Sequence, residues 1–171
     1  AGAQRFLSGT NTMIICPDTS PRGLDLEGEH ESYDFGSGAG FYINSTTSGY
    51  KDHYKMFDYI ESELVEIVNK EFGVSNFSIM GHSMGGHGAL VLGLKRPSLF
   101  KSISAFSPIV NPCQCDWGKK AFTGYLGKDE QSWKEYDATE LILAGYKVDT
   151  KILIDQGLDD EFLEKYVQIC S

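Results

Sequence analysis

The sequence predicts an α/β protein, a parallel sheet with helices on both faces, and three observations carry that prediction. Short apolar runs alternate with longer segments whose apolar residues recur at helical spacing. The short runs, such as "FSIM" (77–80) and "KILID" (151–155), read as buried on both sides, which is the signature of strands in a parallel sheet. Internal repeats, low-complexity tracts and linkers are absent, so residues 1–171 form one domain.

The elements follow in order. "MIIC" (13–16) is a strand candidate, and a long polar, Gly-rich stretch runs from it to about residue 50. Within that stretch "PDTSPRG" (17–23) holds two prolines with Asp18, Thr19 and Ser20, a composition for a rigid turn. "DFGSGAGFY" (34–42) suits a loop packed near a pocket mouth. Its glycine spacing departs from the dinucleotide fingerprint and no strand leads directly into it, which weakens a phosphate-cradling reading. "YKMFDYIESELVEIVNKEF" (54–72) sets Met56, Tyr59, Ile60, Leu64, Ile67 and Val68 at helical spacing, with Gly73 as the stop. "FSIM" is the next strand, and "GGHGALVLGLKRP" (85–97) is a helix ended by Pro97. "SISAF" (102–106) and "KILID" are two more strands, separated by loops and short helices, and "EFLEKYVQIC" (161–170) reads as helical. About four strands are visible, the low end for such a sheet, so its edge strands are expected outside these residues.

Length and composition exclude several classes. The hydrophobic fraction of 41% and charged fraction of 23% belong to an ordinary globular protein. No apolar run is long enough to cross a bilayer, and "AGAQRFLSGTN" lacks a signal-peptide layout. A net charge of -9 argues against nucleic acid or an anionic membrane as partner. Cys16, Cys113, Cys115 and Cys170 are too few and too scattered for a disulfide scaffold and make a poor zinc site, so no metal is expected. Reduced cysteines in a cytoplasmic protein are the plain reading.

Chemistry concentrates in Gly81-His82-Ser83-Met84-Gly85, a G-x-S-x-G between a strand and a helix. That context is the nucleophile elbow, in which a serine sits at the tip of a strained turn and flanking glycines remove side chains that would collide. The reading makes Ser83 a nucleophile and aims the backbone N–H of Met84 at a developing oxyanion, helped by the helix N-terminus. The alternative is a Gly-rich turn with an incidental serine. An elbow serine needs an acid and then a histidine in chain order. After "KILID", Asp160 fits a G-x-x-D spacing from Gly157, and Asp159 is its rival; either carboxylate could instead serve the following helix. No histidine follows residue 160. His30, His53, His82 and His87 are the four present, and His82 and His87 read as packing or polar-lining residues.

The segments "PDTSPRG", "GEHESYDFGSGAGFY", "GHSMGGHGAL", "SAFSPIVNP", "WGKKAFTGYLG", "YDATEL" and "IDQGLDDEFL" closely resemble the S-formylglutathione hydrolase (esterase D) family over nearly the whole chain. The resemblance implies an α/β-hydrolase fold and a serine thioesterase that hydrolyses S-formylglutathione to glutathione and formate without a cofactor. It implies side activity on small esters and a cytoplasmic homodimer. The family's nucleophile falls on Ser83, its acid on Asp160 and one oxyanion-hole N–H on Met84. Its histidine and an N-terminal "SGLT"-like loop have no counterpart here, and family members carry extra residues between Leu163 and Glu164. The chain is therefore expected to be the middle of such a hydrolase and inactive alone. Trp117 is read either as lining the acyl or thiol pocket or as packing. His82 is an additional pocket candidate, and Lys119 and Lys120 either meet a glutathione carboxylate or are surface lysines. A general carboxylesterase and a non-catalytic hydrolase-like protein are the competing functions.

Overall fold

The computed structural model describes residues 2–163. Three strands, β1 (Phe77–His82), β2 (Phe100–Phe106) and β3 (Lys151–Asp155), form a parallel sheet in the order β1-β2-β3, flanked by helices. Register places Met80, Ser104 and Leu153 in one row and His82, Phe106 and Asp155 in the next but one, at the C-terminal rim. The helices are α1 (Ala3–Leu7), α2 (Met56–Asp58), α3 (Leu64–Phe72), α4 (Met84–Lys95), α5 (Asp116–Leu126), α6 (Glu130–Trp133) and α7 (Ala138–Leu143). One π-helical turn, Tyr59–Glu63, joins α2 to α3, so the periodic segment behaves as one rod. Gly73 ends it at φ 65, its N–H bonded to the carbonyl of Asn69 at 2.8 Å.

Helix α4 lies against β1 and β2 over the face that carries Ile103 and Ala105. Nearly every residue of α4 is buried, which explains why its sequence is apolar all round rather than amphipathic. Val91, Leu92 and Ile103 are almost fully inaccessible, and each such burial contributes about 1.5–3 kcal/mol. Phe57 and Ile60 from the first rod and Ala138 and Leu141 from α7 complete this core. On the opposite face Met80 and Leu153 are 62% and 53% exposed among the described residues.

A second core forms where the irregular stretch before residue 56 meets α5, around Phe41, Ile43, Tyr54, Phe122 and Tyr125. Side chains replace the missing ladders. The Tyr125 hydroxyl donates to the carbonyl of Ala39 at 2.8 Å and accepts from the N–H of Gly36 at 2.7 Å. The carboxylate of Glu29 is buried and accepts from the Tyr54 hydroxyl at 2.6 Å and the Leu26 N–H at 3.0 Å. Burial disfavours its charge, but these donors outweigh that and hold the carboxyl below its ordinary value.

Two expectations are corrected. "MIIC" forms no ladder: Met13, Ile14 and Ile15 are 49%, 40% and 39% exposed, and the sheet has three strands rather than about four among the described residues. A strand exists only beside a partner, and neither β1 nor β3 pairs with this run. Of "EFLEKYVQIC", residues 161–163 form a turn; the rest, with Cys170 and the Leu163–Glu164 junction, lies outside the described residues. Among the described residues no helix is long and apolar enough to cross a membrane.

Candidate active site at the strand ends

Ser83 leaves β1 and enters α4 with φ 54 and ψ -115, a conformation an L side chain rarely adopts. The turn is overdetermined by its bonds. The N–H of Ser83 donates to the carbonyl of Phe106 at 2.9 Å, and its own carbonyl accepts from His87 at 3.0 Å, the first bond of the helix. A Cβ on Gly81 would sit 2.1 Å from the carbonyl oxygen of Gly85, so strand and helix approach this closely only because residue 81 lacks one. Gly85 differs from its sequence reading: a Cβ there meets nothing within 4 Å, whereas one on Gly86 would lie 2.9 Å from Pro108. The second steric requirement falls one residue later, where the helix presses on the loop after β2. Met84 is the first residue of α4, so its N–H has no carbonyl a turn earlier within the helix to bond.

Beside this elbow β2 ends the same way. Ser107 has φ 42, and its N–H donates to the carbonyl of Asp155 at 2.7 Å, as that of Ser83 does to Phe106. Each strand thus hands its first residue beyond the sheet to the last residue of the next strand. Ser107 lies within "SAFSPIVNP", but the sequence reading gave it no role of its own.

The two candidate acids differ in what surrounds them. Asp160 accepts from the N–H of Phe162 at 2.9 Å through Oδ1 and from Gln156 Nε2 at 3.0 Å through Oδ2. The Phe162 N–H and then the Gln156 amide hold its carboxyl below the ordinary carboxylate value, with the Ser107 hydroxyl and His82 acting the same way. Asp159 is exposed and makes no side-chain hydrogen bond or ion pair with the described residues. Gln156, directly after β3, was missed in the sequence, although a polar residue between a strand and a G-x-x-D loop is a usable signal.

Among the described residues no hydrogen bond joins the Ser83 hydroxyl to a histidine ring. His87 is fully buried, its Nε2–H donating to the carbonyl of Phe41 at 3.1 Å, and burial lowers its pKa to about 4. His82 is exposed at the end of β1. His30 lies 3.8 Å from both Asp25 and Glu29, and His53 is exposed far along the chain before the sheet. Trp117 stacks edge-on to Tyr33 at 6.1 Å and lies 5.5 Å from Phe162, so an aromatic row reaches within two residues of Asp160. Lys119 is exposed, while Lys120 is engaged by Asp34 and by Ser32 at 2.7 Å. Cys16, Cys113 and Cys115 are free thiols; the sulfur of Cys115 caps α5 by accepting from Gly118, and burial pushes the Cys113 thiol far above its ordinary value.

Comparison with known proteins places the chain in a family. The chain is 53% identical over 165 residues to S-formylglutathione hydrolase of Mus musculus and 50% identical to that of Arabidopsis thaliana, in each case over 95% of this chain. It spans 58% of the length of these curated relatives. A solved S-formylglutathione hydrolase from Agrobacterium tumefaciens superposes with a TM-score of 0.91 at 44% identity, over 96% of this chain and 60% of that one. Residues 2–169 match the model of the family described as "Putative esterase", and the chain belongs to that family.

Proposed function

We propose that this chain carries the nucleophile and the acid of a serine thioesterase that hydrolyses S-formylglutathione. The observation that carries the reading is the backbone of Ser83, held at φ 54 between β1 and the N-terminus of α4. Such strain persists where a hydroxyl must be presented to a substrate. Identity of about half the residues to S-formylglutathione hydrolases supports the substrate.

In this mechanism a histidine supplied from outside residues 1–171 takes the Ser83 proton as the hydroxyl attacks the thioester carbon. The carbonyl oxygen becomes an oxyanion that the Met84 N–H stabilises, and the Asp160 carboxylate faces the imidazolium that forms. Collapse breaks the C–S bond, and the histidine returns its proton to the glutathione sulfur. Water then attacks the formyl ester on Ser83 with the same histidine as base; the C–O bond to Ser83 breaks, the histidine returns its proton to Oγ, and formate leaves. The reading carries a small-molecule substrate, side activity on small esters, and a cytoplasmic homodimer as working state; the family resemblance supports these. Trp117, near Asp160, is proposed to border the substrate pocket, with His82 at its rim and Lys119 on the surface beyond.

The test uses the protein at its relatives' length. Ser83→Ala is expected to lower turnover of S-formylglutathione by about ten-thousandfold or more with the fold intact, and to abolish labelling by a fluorophosphonate. Unchanged hydrolysis sinks the assignment. Turnover of an acetate ester with none of formylglutathione would favour a general carboxylesterase. Residues 1–171 expressed alone are expected to be close to inactive, because no histidine ring among the described residues bonds the Ser83 hydroxyl.

A further inference from the structure

Asp160 lies on a loop five residues beyond β3, and the proposed chemistry needs its carboxylate to hold one orientation toward an imidazolium. Its two hydrogen bonds are unequal in what they can do. The Phe162 N–H belongs to the same turn as Asp160 and moves with it. The Gln156 amide is rooted in the sheet: the residue before it, Asp155, ends β3 and accepts the Ser107 N–H at 2.7 Å. Asp155 also sits in register with Phe106, whose carbonyl holds the N–H of Ser83. One rigid frame therefore reaches both Ser83 and, through Gln156, Asp160.

The orientation of that amide is fixed by what surrounds it. Gln156 Nε2 faces two oxygens, Asp160 Oδ2 at 3.0 Å and the carbonyl of Gly157 at 3.2 Å, so exchanging nitrogen and oxygen would set oxygen against oxygen. Its Oε1 is buried with no hydrogen-bond partner among the described residues. Burying an unpaired acceptor costs free energy, a cost that marks a group placed for something other than its own solvation. The donor is also neutral. A lysine or arginine here would fix the carboxylate but cancel the charge that an imidazolium needs, whereas an amide fixes it and leaves the charge in place.

We propose that Gln156 is a positioning residue of the esterase: it ties the Asp160 carboxylate to the end of β3 and so sets its geometry relative to Ser83. The inference rests on the roles proposed for Ser83 and Asp160. It is tested in the protein at its relatives' length with Gln156→Leu, Gln156→Glu and, as a control, Asp160→Asn. Gln156→Leu removes the donor at similar size, and kcat is expected to fall about tenfold to a hundredfold with KM within about twofold. Gln156→Glu sets a second carboxyl against Asp160. While the pair shares a proton the introduced group still donates; once that proton leaves, the extra negative charge raises the pKa of the catalytic histidine. The acidic limb of the kcat/KM profile is then expected to move up by about one pH unit. A residue that only held the loop folded would lower activity without moving that limb, and Gln156→Glu gives this readout even if Gln156→Leu fails to fold. Wild-type kcat in Gln156→Leu with an unmoved limb in Gln156→Glu, beside a loss of about a thousandfold or more in Asp160→Asn, overturns the clamp and leaves the site standing. Wild-type activity in Asp160→Asn instead overturns the choice of acid, and the clamp with it.

Discussion

The backbone N–H of Ser83 bonds to the carbonyl of Phe106, so the tip of the elbow hangs from the neighbouring strand and not from its own. Position at this turn is set by pairing of β1 with β2, and β2 is fixed in turn by the bond from Ser107 to Asp155. Small steric changes at the turn should therefore be read out as stability.

Gly81 and Gly85 bracket Ser83 symmetrically in sequence but not in space. Gly81→Ala places a Cβ 2.1 Å from a backbone oxygen that cannot move without breaking the start of α4. A loss of about 3 kcal/mol or more is expected. Gly85→Ala meets nothing within 4 Å and lies in a helix, so it is expected to be neutral or to stabilise by up to about 1 kcal/mol. Urea unfolding of the two variants decides it, and equal losses would show that the open space at residue 85 is not real.

Ser83→Gly separates strain from chemistry. A non-glycine residue at this φ and ψ costs about 1–3 kcal/mol, and glycine returns about 0.5–1 kcal/mol of that as extra freedom in the unfolded chain. The variant is expected to be about 1 kcal/mol more stable and to have no esterase activity. A lower unfolding midpoint would mean that the turn is relaxed, not strained.

How much of this was legible in the sequence depended on whether a residue's surroundings are local. Helix α4, β3 and the stop at Gly73 were readable because spacing and punctuation lie within a few residues. The strand-to-helix turn at Ser83 was readable because Gly81 and α4 are its neighbours in the chain. "MIIC" misled because apolar composition suits a strand, but pairing is a long-range property that composition cannot supply. The preference for Asp160 over Asp159 rests in the sequence on one position of spacing, and the bonds that Asp160 accepts from Gln156 and Phe162 could not be read there. The order of residues 17–55 was opaque because hydroxyls of Tyr54 and Tyr125, distant in sequence, bond what no ladder bonds.

Tyr54→Phe tests that last device. It leaves Glu29 buried without its shortest donor, and a hydrogen bond to a buried charged group is worth about 1.5–3 kcal/mol. A loss of about 2 kcal/mol is expected at pH 7. Because the Glu29 carboxyl is held below its ordinary 4.5, the stability it contributes is present above that pH and is lost as pH falls through the lowered value. The gap between wild type and Tyr54→Phe should therefore narrow in acid. A gap that stays constant down to pH 3 would show that the two side chains are coupled by packing alone.

His87 gives the opposite kind of pH dependence from a buried base. Burial lowers its pKa from 6.5 to about 4 in the folded state, so the unfolded chain binds a proton over that interval and the folded one does not. Stability supplied by the neutral ring is whole above pH 6.5, declines as pH falls from there toward 4, and levels off once both states are protonated. A difference of that size corresponds to about 3 kcal/mol. Other groups titrate in the same range, so the informative quantity is the difference between wild type and His87→Gln, which keeps a donor toward Phe41 but cannot be protonated. His87→Gln is expected to start lower at pH 7, where its packing is imperfect, and to lose about 3 kcal/mol less than wild type by pH 4. Curves that fall in parallel would mean that His87 is protonated in the folded protein, and the neutral ring donating to Phe41 would have to be abandoned.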